Sequence, residues 1–149
     1  MLILLPLLLF LNGNLHGLVV GVNDGDTITI LAESRTVRVR LFGIDCPEKG
    51  QAFGQAAKKR VSALCYRSVV SVQTKGKDAF GRTLGIVFLA DGRNLNHLLV
   101  KEGLAWWYRK YSPRDMKLKS LEATAKKAKR GIWSMRNPAP PWEFRGRPK

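Results

Sequence analysis

Three short stretches of the chain set charged side chains beside residues that favour turns: Asn23-Asp24-Gly25-Asp26-Thr27, Val39-Arg40-Leu41-Phe42-Gly43-Ile44-Asp45-Cys46-Pro47-Glu48, and Asp78-Ala79-Phe80-Gly81-Arg82. Two hard carboxylates brought together, Asp26 and Asp45, would suit Ca²⁺ or Mg²⁺, which take oxygen ligands, and not a soft or borderline metal. An Asp-Gly-Asp is also ordinary turn chemistry, and for Asp24 and Asp26 the residues alone leave that reading open. Arg40 lies between apolar Val39 and Leu41, so a half-buried guanidinium there needs an anion. The anion is either a carboxylate of the chain, Asp45 or Glu48, or a phosphate. Arg82, placed by flexible Gly81, is a second guanidinium. Two such forks bind phosphate oxygens bidentately and neutralise the charge of a five-coordinate transition state. Glu48 is then the group to orient or deprotonate an attacking water; the alternative is an acid near a helix start, favoured by the helix dipole.

For these segments to meet, strand ends must converge. Five β-branched segments follow Asn14: Leu15 to Val22, Thr27 to Ala32, Thr36 to Phe42, Val69 to Thr74 and Thr83 to Leu89. The first three are separated by turns short enough for a meander. Between the third and fourth, Phe53, Ala57, Val61 and Leu64 recur at helical spacing, predicting a helix from about Gln51 to Cys65. Three strands, a helix and two strands is the order of the five-stranded Greek-key barrel of the OB-fold; an SH3-like barrel lacks that helix. The expected class is therefore α+β, mainly a β barrel, with three helices. The second helix carries Leu95, Leu98 and Leu99. The third is expected to start at Ser112-Pro113 and to present Leu118, Leu121, Ala125 and Ala128, with Gly131 as its stop.

The chain has 149 residues, 45% of them hydrophobic, enough for one domain with a real core. Three regions are expected: an apolar leader at 1–14, a barrel domain at 15–136, and a proline-rich, extended basic tail at 137–149. Lys and Arg number 26 against 11 Asp and Glu, a net charge of +15, which points to a polyanionic partner. From Lys101 to Lys149 there are 14 basic and 4 acidic residues, so the charge is concentrated in the last third. Two cysteines, Cys46 and Cys65, with two histidines, are too few for a Cys/His zinc site or a disulfide scaffold. The run MLILLPLLLFL at Met1 to Leu11 is about half the roughly 20 residues that span a bilayer, so no stable membrane span is expected. It resembles the hydrophobic part of an export signal, with no preceding Lys or Arg and no clear cleavage site, and the expected location is secreted or periplasmic; the alternative is an amino-terminal strand or a lipid-surface anchor, which leaves a membrane-anchored or cytoplasmic protein open.

Taken together and in order, DGDT at Asp24 to Thr27, RLFGIDCPE at Arg40 to Glu48, DAFGR at Asp78 to Arg82, LVKEGLAWWY at Leu99 to Tyr108 and AKKAKRGIW at Ala125 to Trp133 resemble the staphylococcal-nuclease-like (thermonuclease) family. The resemblance implies Ca²⁺ held by Asp26, Asp45 and the main-chain carbonyl of Cys46, phosphate bound by Arg40 and Arg82, and Glu48 as general base. It implies hydrolysis of DNA and RNA to 3′-phosphate and 5′-hydroxyl ends by a monomer with no obligate protein partner. Arg109 and Tyr111 fall where the family contacts substrate, only Tyr111 keeping an aromatic ring there, and the neighbouring Trp106, Trp107 and Tyr108 offer either base stacking or core. The competing reading is a noncatalytic OB-fold that binds single strands through its basic surface and aromatics.

Overall fold

The computed structural model describes residues 14–148, so the apolar leader lies outside the described residues. Five strands, β1 (Asn14–Asp24), β2 (Thr27–Ala32), β3 (Arg35–Leu41), β5 (Val69–Lys77) and β6 (Thr83–Phe88), close a barrel in the order β1-β2-β3-β6-β5. β1 closes on β5, pairing Leu15 with Val72, and β3 runs parallel to β6, pairing Val39 with Thr83. This is the expected OB-type barrel. Alternation explains it: Val19, Ile28, Ile30, Val39, Leu41, Val70, Val72 and Val87 point inward and are fully or almost fully buried. A short β4 (Ile44–Asp45), past the end of β3, pairs outside the barrel with β7 (Trp106–Trp107).

Helix α1 (Gly54–Cys65) joins β3 and β5 and buries Ala57, Val61 and Cys65. It starts later than Gln51, because Phe53 takes a left-handed φ of 69° and breaks the helical path before Gly54. Helix α2 (Leu95–Lys101) is capped by Asn94, whose side chain accepts from His97 N. Its buried Asn96 accepts from Val87 N and donates to the carbonyls of Phe42 and Gly85, fixing the chain where it leaves β3.

Helix α3 (Met116–Lys127) corrects the expected start at Ser112-Pro113. Asp115 is the cap, accepting from Leu118 N at 3.0 Å, and the chain before it is a turn. Ala128 lies past the last helical residue and is exposed. Leu118 and Ala125 are buried as expected, Leu121 packs partly buried against the core, and Glu122 joins them on the buried face. Gly131 opens a 3₁₀ turn (Gly131–Ser134) that buries Ile132. The tail is also corrected: it is not wholly extended but contains helix α4 (Pro141–Arg145), begun by the Pro140-Pro141 pair. Both cysteines are free and buried. Among the described residues no helix is long and apolar enough to cross a membrane.

Candidate active site

Asp26 lies in the β1–β2 turn and Asp45 on β4, and both are buried. The Asp24 side chain accepts from Asp26 N at 3.0 Å, an Asx turn that sets Asp26 facing the end of β3. Asp26 then accepts from Cys46 N at 2.7 Å, and its own carbonyl accepts from Leu41 N at 2.8 Å. The two motif segments are thereby tied across the barrel mouth. Asp24 makes the turn, and the turn sets the Asp26 carboxylate at the mouth.

Asp45 is placed from the opposite side. β4 pairs Asp45 with Trp106 and Ile44 with Trp107. Trp107 N donates to the buried carboxylate of Glu122 at 2.8 Å, and Trp107 Nε1 donates to Ser112 O. Of the two tryptophans, Trp107 is the core residue, only 5% exposed. Glu122 was not singled out from sequence, although its spacing from Leu118 and Ala125 put an acid on an otherwise apolar stripe.

Between the carboxylates lies Arg40. Nη2 stands 3.3 Å from Asp45 Oδ1 and 3.5 Å from Asp26 Oδ2, while Nη1 donates to the carbonyls of Leu41 at 2.6 Å and Ile44 at 2.9 Å. Burial works against its charge, but Asp26 and Asp45 outweigh that cost and its pKa is raised. The partner in the chain is Asp45, with Asp26, and not Glu48. Asp24 shows the reverse effect: burial first, then the Asp26 charge, pushes its carboxyl up to about 6. Burial, reinforced by Asp26, raises the Cys46 thiol well above its ordinary value, so Cys46 offers its main chain here and not a thiolate.

Arg82 comes from the third motif segment. Because Thr83 pairs with Val39, Arg82 stands beside the end of β3 that carries Arg40. Asp78 accepts from Arg82 N at 3.0 Å, Arg82 Nε at 2.7 Å and Phe80 N at 2.9 Å. These bonds outweigh burial and lower the Asp78 pKa. Since the ion pair runs through Nε, the terminal amino groups of Arg82 are the ones left to meet a ligand.

Glu48 sits in the loop before α1, six residues ahead of Gly54, so the helix-start reading does not describe it. Its backbone is clamped: Glu48 N donates to Gln51 Oε1 at 3.0 Å and Gln51 N to Glu48 O at 2.9 Å. Gly54 is part of this clamp, since a Cβ there would run into the Glu48 carbonyl. Neither Gln51 nor Gly54 stood out in the sequence.

One cavity of about 440 Å³ is lined by Asp26, Arg40, Asp45, Cys46, Glu48 and Arg82, together with Tyr108 and Tyr111. Arg109 is not among its walls. Its guanidinium lies 4.7 Å over the Trp107 ring, facing a neighbouring aromatic cavity of about 490 Å³ that also takes in Trp106 and Trp142. The basic carboxy-terminal third also contributes to the cleft: Arg145 contacts both Asp45 and Glu48.

Residues 38–135 match the family model described as staphylococcal nuclease homologue. The chain belongs to the staphylococcal nuclease family. It is 42% identical over 139 residues to a micrococcal nuclease of Shigella flexneri, covering 87% of this chain and 80% of that one. It is 40% identical over 149 residues to a protein of Escherichia coli O157:H7 named an uncharacterized endonuclease, covering 96% and 97%. A third relative with that name, from Haemophilus influenzae, is 42% identical over 132 residues, covering 88% and 73%. The protein is thus a hydrolytic nuclease, its substrates are nucleic acids, and the barrel mouth is its candidate active site.

Proposed function

We propose that this nuclease is a Ca²⁺-dependent phosphodiesterase that cuts both DNA and RNA, leaving 3′-phosphate and 5′-hydroxyl ends. The observation that carries the reading is the convergence of Asp26, Arg40, Asp45, Glu48 and Arg82 on one cleft from five separate elements and loops. Among the described residues no group of three or more His, Cys, Asp or Glu is gathered into a metal cage. The donor set nonetheless fits a hard cation: two carboxylates with the Cys46 carbonyl, all oxygen, with room for water. Asp45 already draws a cationic group, the Arg145 guanidinium.

The residues divide the work. Asp26 and Asp45 would hold the ion, and Arg40, buried between them, keeps two like charges close without repulsion. Bound Ca²⁺ would supply positive charge to a phosphate oxygen and to the attacking water. Glu48, clamped by Gln51 and backed by Gly54, takes a proton from that water as its oxygen bonds to phosphorus. The P–O5′ bond breaks, and the 5′ oxygen leaves and takes a proton from solvent. Arg82 meets the equatorial oxygens with its free amino groups and neutralises the charge that builds there.

The test is digestion of DNA and RNA in chelated buffer with each metal restored separately. Activity should return with Ca²⁺ and poorly with Mg²⁺, which demands tighter octahedral geometry and dehydrates reluctantly. Full activity in chelator, or a preference for Zn²⁺, overturns the proposed site. A noncatalytic strand-binding module would retain binding and cut under no condition.

A further inference from the structure

The tail brings into the cleft a guanidinium that the proposed reaction does not use. Arg145 Nη2 donates to Asp45 Oδ2 at 2.7 Å, and Nη1 donates to Asp45 Oδ1 at 3.1 Å and to Glu48 Oε1 at 2.7 Å. Its fork therefore covers both oxygens of a candidate cation ligand and one oxygen of the candidate base. Contacts upstream hold the tail in this place. Gln51 Nε2 donates to the Ala139 carbonyl at 2.6 Å, Pro141 is buried, and Trp142 stacks on Tyr108 with ring centroids 5.5 Å apart. Gln51 thus fixes the base loop and the tail at once.

The two sides of this ion pair are unlike. The Asp45 side chain is 1% exposed, so water cannot solvate its charge and cationic partners must. Arg40 serves from inside the fold. On the open side the Arg145 side chain is 41% exposed, carried by a five-residue helix that is followed by the exposed Gly146, Arg147 and Pro148. It can leave at small cost, provided another cation takes its place.

We propose that Arg145 is the built-in counter-cation of the Ca²⁺ position, so that its fork and the ion compete for Asp45. The inference rests on the Ca²⁺ reading above. Both Asp45 oxygens are engaged by the fork, and a divalent ion beside a guanidinium on one carboxylate meets like-charge repulsion. Because the competitor is tethered, its effective concentration is independent of protein dilution. The measured ion affinity is then the intrinsic affinity reduced by the fraction of molecules in which Asp45 is free of the tail.

Calorimetric titration of the full chain with Ca²⁺ alone, without nucleic acid, tests this. With the tail docked about nine-tenths of the time, Arg145→Met should bind Ca²⁺ about tenfold more tightly than the parent. Arg145→Lys should fall between them, since Lys keeps the charge and loses the fork. Trp142→Ala should shift affinity the same way as Arg145→Met, because it loosens the tail without touching a carboxylate. Asp45→Asn should abolish binding. Equal or weaker binding by Arg145→Met, with the parent binding Ca²⁺ normally, overturns the competition and leaves the Ca²⁺ reading standing. Absence of Ca²⁺ binding in both the parent and Arg145→Met overturns the Ca²⁺ reading, and the competition falls with it.

Discussion

Asp45 is gripped by two arginines from opposite ends of the chain, and the barrel mouth and the tail do this in different ways. Arg40 arrives on β3, whose backbone at that residue is paired with Thr27 on one side and Leu84 on the other. Its guanidinium is buried, and two of its donor contacts end on main-chain carbonyls. Arg145 arrives on a short helix anchored by a proline and a stacked tryptophan, and among the described residues its carboxylate partners are the two that the proposed chemistry needs. The same kind of ion pair is a structural element in one place and an exchangeable contact in the other. Burial of the arginine makes that difference: the Arg40 side chain is 9% exposed and the Arg145 side chain 41%, and removing the buried partner of a buried charge costs about 3–5 kcal/mol.

The contrast breaks most visibly on substitution of the two arginines in the absence of metal. Arg40→Met should lose about 3–5 kcal/mol of stability and nearly all turnover, because Asp26 and Asp45 are then left facing each other. Arg145→Met should cost clearly less, because Arg40 still balances Asp45 from inside the fold. Urea unfolding in chelator measures both. Similar losses for the two variants would mean that the tail is as much a part of the fold as β3.

Glu48 and Arg82 sharpen the same comparison within the mouth, for they bear on the proposed reaction without supporting the barrel. Glu48→Gln should reduce kcat by about 10²–10⁴-fold with Ca²⁺ binding retained, since it removes a base and no proposed metal ligand. Arg82→Lys should also cut turnover more than stability, because Lys keeps a charge but not the fork. Wild-type cleavage rates in both variants would remove these residues from the mechanism.

Much of the mouth could be read from the residues because its parts are local. Alternating β-branched segments fix which faces turn inward, and a turn residue beside a strand end shows where a carboxylate must lie. Arg40 was conspicuous as a charge between apolar Val39 and Leu41. The pieces that sequence did not disclose act across long separations. Arg145 meets Asp45 a hundred positions away, and Gln51 meets Ala139 across 88. A basic tail rich in proline carries no periodicity to announce such docking. Gly54 was hidden for a different reason: its role is the absence of a side chain against the Glu48 carbonyl, which only the folded chain exposes. The tail's extended appearance failed because Pro140 and Pro141, counted as helix breakers, are well placed to begin one.

A smaller effect separates the basic surface from the site. Lys117, Lys119, Lys127 and Lys129 are exposed on or just beyond α3. Lys126 is excluded from this set, since it pairs with Glu122 at 3.2 Å and covers the Trp133 ring at 4.6 Å. Replacing the four exposed lysines by Gln in a Glu48→Gln background should weaken binding of an uncut single strand. The slope of log affinity against log salt should become shallower by up to roughly 0.7 per lost phosphate contact. In the catalytically intact chain the same replacements should leave saturating kcat nearly unchanged. An unchanged slope with a lost kcat would put these charges in the chemistry.

The smallest expected effect concerns pH, away from both the mouth and the tail. His97 on α2 is half-buried, and burial lowers its pKa from the ordinary 6.5; Asp115 opposes that shift and Lys117 adds to it. The unfolded chain therefore takes up the proton first as pH falls. Between 6.5 and the lower folded value the unfolded state binds more protons, so stability is fully present above 6.5 and declines as pH drops through that window. His97→Gln has no such group, and the difference in stability between the parent and this variant should decline over the same interval, modestly because the ring is half solvated. Asp24, with its carboxyl near 6, titrates in a neighbouring range with the opposite sign: its folded form holds the proton more tightly, so its contribution falls as pH rises from about 4 to 6. Because Asp24 is present in both proteins, subtracting one unfolding curve from the other isolates His97. A difference that grows as pH falls would show that the folded chain favours the imidazolium, and that Asp115 outweighs burial at this position.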